Sequence, residues 1–158
     1  MSVLAVVAEA RSLLGRTLHG HGVAVRITEV EAYDGPNDPA SHAFTRTARS
    51  EIMFGEPWRL YVYRSYGMHF CANVVTGVEG QASAVLGRAG EVVDGEDIAR
   101  ARRGPSTKHE RLARGPGNLA RALGLTLDDL GSDLLATEGV RLGSPVDSQP
   151  AISVGPRV

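Results

Sequence analysis

Two carboxylates and a tyrosine lie at one end of a predicted strand, in the segment GVAVRITEVEAY at residues 22–33. Alternate side chains of a strand share a face, so the apolar face of this strand continues into Glu29, Glu31 and Tyr33. A carboxylate at the rim of an apolar, water-poor site is a better general base than one in water. A β-bulge could instead turn both glutamates to solvent, or an arginine could pair with one of them. The alternation alone does not distinguish Glu29 from Glu31.

The aromatic side chains are concentrated in one part of the chain. All three phenylalanines, all four tyrosines and the single tryptophan lie between Tyr33 and Phe70. Such clustering favours a stacking pocket, because an aromatic ring stabilises a nucleobase by about 1–3 kcal/mol. One hydrophobic cluster beneath the long loop over residues 34–50 is the alternative interpretation.

A tyrosine, Tyr66, lies in the tight turn predicted over Arg64–Gly67. An aromatic side chain gains nothing from folding there, and DNA-bending proteins use such a group as a wedge between base pairs. An enzyme that flips a nucleotide needs a plug of this kind, because unstacking costs a few kcal/mol. Tyr66 could also fold back onto the sheet, and the sequence leaves both possibilities open.

Positive charge is unevenly distributed, although the net charge is only −1. Residues 100–121 contain seven basic side chains and one acidic side chain. This density is typical of phosphate contact, with a solvated helix face as the alternative. Lys108 is the only lysine, which disfavours a Schiff base and favours water as the nucleophile. Cys71 is the only cysteine, which excludes an intrachain disulfide.

These residues must be positioned by secondary-structure elements. Along the chain, the predicted strands precede the helices instead of alternating with them, which is typical of the α+β class. A length of 158 residues predicts a single compact domain. We expect this domain to consist of a curved, mainly antiparallel β-sheet with flanking short helices and a protruding β-hairpin. We predict helices over 5–14, from Asp94 to Gly104 and from Gly115 to Gly124; strands over 22–33, Leu60–Tyr63, Met68–Val75 and near Ala82–Leu86; a capped turn at Thr126–Asp129; and strand and loop from Val140.

Four segments resemble blocks of the alkyladenine (3-methyladenine) DNA glycosylase family, in that family's order. They are EVEAYDGPNDPASHAF, MFG…LYVYRSYGMHFCANVV, AVLGRAGEVVDG and ARGPGNLARALGL. The resemblance extends from Leu13 to Val158. It implies a monofunctional DNA glycosylase that flips alkylated or deaminated purines out of the duplex and hydrolyses their N-glycosidic bonds in base excision repair.

The resemblance also implies roles for individual residues. Glu31, and not Glu29, matches the catalytic residue of the family, a general base that activates water. Tyr33, His42 and Tyr63 match the base pocket, in which aromatic rings surround the flipped nucleobase.

Three further residues match positions of the family outside this aromatic set. Tyr66 matches the residue that intercalates into DNA. Asn73 matches the pocket residue that clashes with the exocyclic amine of guanine. Arg88 matches a catalytic arginine near the water and the phosphate of the flipped nucleotide, where it can stabilise developing negative charge.

The sequence departs from the family pattern in three places. Gly87 replaces a larger apolar residue, and the loop from Phe44 to Glu51 is about one residue shorter than usual. The family usually continues into a further strand that lines the pocket, so we expect one glycosylase domain over residues 1–158 that is short at its C-terminus.

A weaker expectation concerns DNA phosphate. The segment GPG at residues 115–117 resembles the hairpin of helix–hairpin–helix proteins, whose backbone amides hold a phosphate. The residues assigned to this role are Arg100, Arg103, Gly115, Gly117 and Asn118. The alternative is a surface helix that begins at a proline.

The expected partner is damaged double-stranded DNA, bound by a monomer without a metal, an organic cofactor or an obligate protein partner. We expect a helix rather than a signal peptide at the start, and no apolar run reaches the roughly 18 residues that a membrane span needs. The expected location is therefore the cytoplasm, in association with the nucleoid if the protein is bacterial. Two alternatives are a non-catalytic nucleic-acid-binding module of the same fold and a small-molecule hydrolase that uses Glu31.

Overall fold

The computed structural model describes residues 3–145 and 151–157. The helices are α1 (Val3–Leu13), α2 (Glu96–Arg103) and α3 (Pro116–Ala122). The strands are β1 (Thr17–Gly20), β2 (Val23–Tyr33), β3 (Leu60–Ser65), β4 (His69–Thr76), β5 (Ser83–Asp94), β6 (Ala113–Arg114) and β7 (Arg141–Leu142). Within these residues no helix is both long and apolar enough to cross a membrane.

One curled antiparallel sheet organises the molecule, which confirms the predicted α+β class. Its strands follow the order β3-β4-β5-β2-β1-β7, and β6 pairs with β5. Strands that are neighbours along the chain pair through short turns, as in β3 with β4 and β4 with β5. The strand β2 is central because β5 and β1 pair with its two sides.

The two faces of the sheet bury different kinds of side chain. The face that packs against α1 and α3 forms the larger core, and the opposite face, which we call the outer face, lies beneath the loop over residues 34–54. The larger core includes Leu13, Val25, Leu60, Val85 and Leu119. The cluster on the outer face includes Ala43, Met53, Tyr61, Val75 and Ala84.

Three irregularities break the register between β2 and β5: one skips Val93 of β5, and the other two are β-bulges on either side of the Glu29–Ala89 pair. One extra residue, Thr28, lies in β2, and one, Arg88, lies in β5. Ile27 and Val30 therefore pack into the same larger core, although simple alternation would separate them. The predicted continuity of the apolar face into Glu31 is wrong for this reason, because the bulge moves Glu31 to the outer face. That face is not open to solvent at this point, since Glu31 is only 7% exposed.

The strand β5 has 12 residues, more than twice the length of the strand predicted near Ala82–Leu86, because glycines interrupt its apolar pattern. Gly90 is required by close packing: a Cβ at this position would lie 2.6 Å from the carbonyl oxygen of Arg26 on β2. The short strand β1 was not predicted, since four residues show too little alternation to be distinguished from a turn.

Candidate active site

Four neighbouring strands align one row of side chains across the outer face. In the strand register, Tyr61 pairs with Asn73, Asn73 with Leu86, and Leu86 with Glu31. Tyr33 lies two residues beyond Glu31 on the same strand and therefore on the same face. The sheet thus brings together three polar candidates that the sequence separates by about 40 residues.

Glu31 is held by a donor on each side of its carboxylate. The Tyr33 hydroxyl donates to Oε2 at 2.8 Å, and Nη1 of Arg88 donates to Oε1 at 3.0 Å. Arg88 reaches Glu31 from the bulge of β5, with a quarter of its side chain exposed. A buried carboxylate in a salt bridge and a hydrogen bond has a fixed orientation, which is what a general base needs.

Tyr33 is a persistent hydrogen-bond donor. Burial, followed by the hydrogen bond to Glu31, raises the pKa of Tyr33 to about 12. Arg157 covers this ring, with its guanidinium carbon 4.8 Å from the ring centroid. Arg157 also binds Asp38, through two hydrogen bonds, and donates to the Ala32 carbonyl at 3.1 Å. Tyr33 is therefore fixed both at its hydroxyl and on one face.

An aromatic cleft lies beside the carboxylate. The Ser41 hydroxyl caps a short 3-10 helix by accepting a hydrogen bond from the Ala43 amide at 3.1 Å, and this turn carries His42. His42 meets Tyr63 edge-on, with ring centroids 4.3 Å apart, and its Nδ1 lies 3.0 Å from the Tyr61 hydroxyl. Desolvation, followed by the charge of a nearby arginine, lowers the pKa of His42. The imidazole in this cleft is therefore neutral at pH 7.

The cleft is narrow. It encloses about 40 Å³ and is lined by Tyr33, Ala40, Ser41, His42, Met53, Tyr61, Tyr63, Asn73 and Ala84. A benzene molecule occupies a cavity of about 150 Å³ in a protein core, so a purine does not fit without movement of the rings. Asn73 is 5% exposed, and its Nδ2 donates to the Tyr61 carbonyl at 3.4 Å. The amide of Asn73 is thus fixed on the sheet that floors the cleft.

The hairpin between β3 and β4 exposes its tip. Tyr66 is 96% exposed and has a φ of 52°, and Gly67 has a φ of 66°. The Met68 amide donates to the Ser65 carbonyl at 3.0 Å, so the turn is of type I′. Tyr66 does not fold back onto the sheet, which was one of the two possibilities left open by the sequence. Met68 beside it is 75% exposed.

The two arginines assigned to phosphate have partners within the protein. Nε of Arg100 donates to the Thr107 carbonyl at 3.0 Å, and Nε of Arg103 donates to the Leu112 carbonyl at 2.9 Å. Both side chains thus fasten the loop that follows α2 to that helix. Their contact with DNA stays a prediction.

The segment Gly115–Asn118 begins α3 beside the first residue of β4, His69, next to the tip of the hairpin. Gly115 has a φ of 98°, and Nδ2 of Asn118 donates to the Arg114 carbonyl at 2.8 Å. A Cβ on Gly117 would lie 3.1 Å from the Cβ and Cγ atoms of His69, so this glycine allows α3 to approach β4. The geometry explains these residues by packing, and their role as a phosphate site stays a prediction.

Two arginines at the site were not identified from the sequence. Arg157 covers Tyr33, and Arg49 covers Tyr63 with its guanidinium carbon 5.1 Å from the ring centroid. Arg157 is distant from Tyr33 in sequence, and Arg49 lies in an exposed loop without regular structure. No periodic sequence pattern therefore indicated that these arginines contact the rings. A larger cavity of about 660 Å³ adjoins Glu31 and Arg88 between α1, β2 and residues 152–157.

Comparisons with known proteins converge on one family. The family model for methylpurine-DNA glycosylase (MPG) matches residues 3–158. A protein of Nocardia farcinica, named provisionally as a 3-methyladenine DNA glycosylase, is 52% identical over 157 residues, which cover 94% of this chain and 74% of the relative. A protein of the same provisional name from Mycobacterium leprae is 50% identical, over 96% of this chain and 73% of the relative. Another, from Mycolicibacterium fortuitum, is 51% identical, over 94% of this chain and 79% of the relative.

Proposed function

Because this chain belongs to the methylpurine-DNA glycosylase family, we propose that it is a monofunctional enzyme that excises alkylated or deaminated purines from duplex DNA in base excision repair. The observation that carries the proposal is the Glu31 carboxylate, buried between Arg88 and Tyr33 beside a cleft of aromatic rings. Such a carboxylate can take a proton from water next to a bound nucleotide.

The proposed reaction is a hydrolysis at C1′ of the flipped nucleotide. Glu31 accepts a proton from a water molecule, and the oxygen of that water bonds to C1′. The bond between C1′ and the purine nitrogen breaks, and its electron pair leaves with the purine. An alkylated purine carries a positive charge and departs as a neutral molecule, so this substrate requires no acid. A deaminated purine is neutral, so it takes a proton from water as it departs. Arg88 and Tyr33 hold the carboxylate in line throughout.

Stacking is the proposed basis of binding. Tyr33 and Tyr63 lie on strands, whereas His42 belongs to the loop over residues 34–54. Since the cleft is too narrow for a purine, we propose that this loop moves outward and that the rings then close on the nucleobase. An electron-poor alkylated purine is a good partner for such rings.

Two further residues have proposed roles in selecting the nucleotide. Tyr66 enters the base stack in place of the flipped nucleotide, since its ring is exposed at the tip of the hairpin. Asn73 excludes guanine by a clash with the exocyclic amine, because its buried amide is fixed by the Tyr61 carbonyl. We propose damaged duplex DNA as the partner, bound by a monomer in the cytoplasm.

The test is base release from a duplex that contains one 3-methyladenine or hypoxanthine. Glu31→Gln keeps the shape of the side chain but removes its basicity, and we expect the single-turnover rate to fall by about 100- to 10,000-fold. Glu29→Gln is the matched control, since Glu29 is exposed on the same strand. It should retain the wild-type rate, and equal losses in both variants would contradict the assignment.

The narrow cleft favours a second candidate, a nucleic-acid-binding module without catalysis. Tight binding of damaged duplex by the wild-type protein, with no release of the purine, would support it. Salt titration separates both candidates from a small-molecule hydrolase, because DNA affinity falls steeply with salt concentration.

A further inference from the structure

The guanidinium of Arg157 is fastened to two neighbouring parts of the chain. Its Nη2 donates to Oδ1 of Asp38 at 3.0 Å, and its Nη1 donates to Oδ2 of the same carboxylate. Nη1 also donates to the Ala32 carbonyl at 3.1 Å. Two parallel hydrogen bonds to one carboxylate fix the plane of a guanidinium as well as its position. Arg157 is therefore held firmly, although 37% of its side chain is exposed.

Asp38 is a rigid acceptor for this arginine. Its side chain is only 10% exposed. Oδ2 accepts a hydrogen bond from the Asp34 amide and Oδ1 accepts one from the Ala40 amide, both at 3.1 Å. The hydrogen bond from Arg157 is the main cause that lowers the pKa of Asp38, so this carboxylate is ionised at neutral pH. Each of its oxygens thus has one backbone donor and one arginine donor.

Arg157 covers the face of the Tyr33 ring that is turned away from the aromatic cleft. Its guanidinium carbon is 4.8 Å from the ring centroid, within the range of a cation–π interaction. Tyr33 borders the cleft, whereas Arg157 borders the larger cavity on the other side. The opposite face of the ring is thus left for the nucleobase.

Tyr33 needs this support because it ends a strand. It is the last residue of β2, its side chain is only partly buried, and the chain leaves the sheet at Asp34. Its hydroxyl reaches Oε2 of Glu31 at 2.8 Å. A rotation about the Cα–Cβ bond toward the larger cavity would break this hydrogen bond. Arg157 occupies that side of the ring and blocks the rotation.

We propose that Arg157 is a positioning residue, which is held by Asp38 and keeps the Tyr33 hydroxyl on the Glu31 carboxylate by backing the Tyr33 ring. Its consequence for excision rests on the proposed function, in which Glu31 activates the water. Arg157 contacts neither that carboxylate nor the cleft, so its effect on base release should pass through Tyr33.

Two effects of Arg157 on Tyr33 have opposite signs, and this difference makes the proposal testable. The titratable groups that face Tyr33 are Glu31, Asp38, Arg157 and, beside the cleft, Tyr63. Burial and then Glu31 raise the pKa of Tyr33, whereas the charge of Arg157 lowers it. Loss of the charge alone would therefore raise this pKa further. Release of the ring from Glu31 into solvent would instead lower it toward the ordinary tyrosine value of about 10.

The first test needs no DNA. In the full chain labelled with ¹³Cζ-tyrosine, the Tyr33 signal is assigned by its absence in Tyr33→Phe. In the wild type it should stay at the protonated position up to about pH 10.5, because the pKa is raised to about 12. In Arg157→Gln we expect ionisation to begin below that pH. An unchanged or raised pKa of Tyr33 in this variant would overturn the proposal.

Three companion variants separate position from charge. Arg157→Lys keeps the charge but cannot form the parallel hydrogen bonds or the planar stack, so the pKa of Tyr33 should fall as in Arg157→Gln. A wild-type pKa in Arg157→Lys would show that charge alone matters and would reject the positioning role. Asp38→Asn should also lower the pKa, because it loosens the guanidinium. Arg59→Gln is the matched control, since Arg59 is similarly exposed but pairs with Glu56 and Asp133, and its Tyr33 signal should match the wild type.

A double-mutant cycle tests whether Arg157 acts through Tyr33. We expect Arg157→Gln to slow single-turnover base release by about 5-fold, the value of one hydrogen bond to Glu31. In a Tyr33→Phe background the same change should have no further effect, because the hydroxyl that it positions is already gone. Additive losses would contradict the proposal, since they would require a route that bypasses this hydroxyl.

The two kinds of measurement distinguish failure of this inference from failure of the proposed function. The expected change in the pKa of Tyr33, without any base release by the wild type, would reject the proposed function and leave the positioning role of Arg157 intact. Base release by the wild type that depends on Glu31, with no change of that pKa in Arg157→Gln, would reject the positioning role alone.

Discussion

The proposed site consists of two halves that the fold holds in different ways. In the hydrolytic half, on β2 and β5, Glu31 is bound by Tyr33 at 2.8 Å and by Arg88 at 3.0 Å. In the recognition half, on the β3–β4 hairpin and the adjoining loop, rings meet edge-on, as His42 and Tyr63 do at 4.3 Å. Charge-assisted hydrogen bonds, one within β2 and one between β2 and β5, fix the first half, and ring packing around a narrow cleft holds the second.

This difference separates the group that moves a proton from the surface that admits a ligand. A general base loses efficiency when its position shifts by about 1 Å, whereas ring contacts worth about 1 kcal/mol rearrange easily. Substitutions in the hydrolytic half should therefore change the rate at constant affinity. Substitutions in the recognition half should change affinity and selectivity.

The largest effect after loss of Glu31 itself is expected for Arg88→Gln. This change removes a charge-assisted hydrogen bond to a buried carboxylate, and we expect the single-turnover rate to fall by about 100-fold. Duplex affinity, measured by fluorescence anisotropy, should change little. A loss confined to affinity would place Arg88 in the recognition half and break the comparison.

Tyr66→Ala should have the next largest effect, and on flipping rather than on chemistry. The ring is exposed in the free protein, so its removal should cost only the stacking that it makes in DNA. This corresponds to a decrease of about 30-fold in the equilibrium constant for flipping. A 2-aminopurine placed next to the lesion reports flipping by fluorescence. Val78→Ala is the control, since Val78 is also apolar and exposed, at 63%, in the turn after β4. A similar loss in that variant would count against the wedge.

Asn73→Ala should change selectivity rather than rate. Removal of a buried amide fixed to the Tyr61 carbonyl opens space for the exocyclic amine of guanine, and we expect release of undamaged guanine to rise by about 10-fold. The comparison is the ratio of guanine to hypoxanthine release under the same conditions. An unchanged ratio would remove this role from Asn73.

Tyr33→Phe should have the smallest effect, and that effect should not depend on pH. The pKa of Tyr33 is raised to about 12, so its hydroxyl remains a donor to Glu31 over the whole working range. We expect the variant to be about 5-fold slower than the wild type at every pH from about 6 to 10. A ratio that changes near pH 10 would indicate that Tyr33 ionises normally.

Local pattern predicted much of the fold. Alternation predicted β2 over residues 22–33, and the structure has it at Val23–Tyr33; the turn RSYGM is the tip of the hairpin between β3 and β4. The second half of β5 was missed because Gly90, which leaves room for the Arg26 carbonyl, carries no side chain that could show a pattern. The long loop after β2 was correctly predicted as irregular, apart from short 3-10 turns.

The site was only partly predictable. Clustered aromatic residues indicated a pocket, and the structure does bring Tyr33, His42 and Tyr63 to one cleft. The two arginines that cover its rings, Arg49 and Arg157, gave no signal, because cation–π contacts have no sequence period. Assignment of Glu31 rather than Glu29 depended on the family resemblance, and the parity argument for its face was wrong.

The sequence by itself determined which segments form strands, where the aromatic residues concentrate and which acidic residues and arginines are available for a site. Those properties follow from local periodicity and residue type. Only the tertiary structure decided that Glu31 lies on the outer face, within reach of Arg88. Two opposed bulges set that outcome, and their positions depend on how tightly two strands distant in sequence pack against each other.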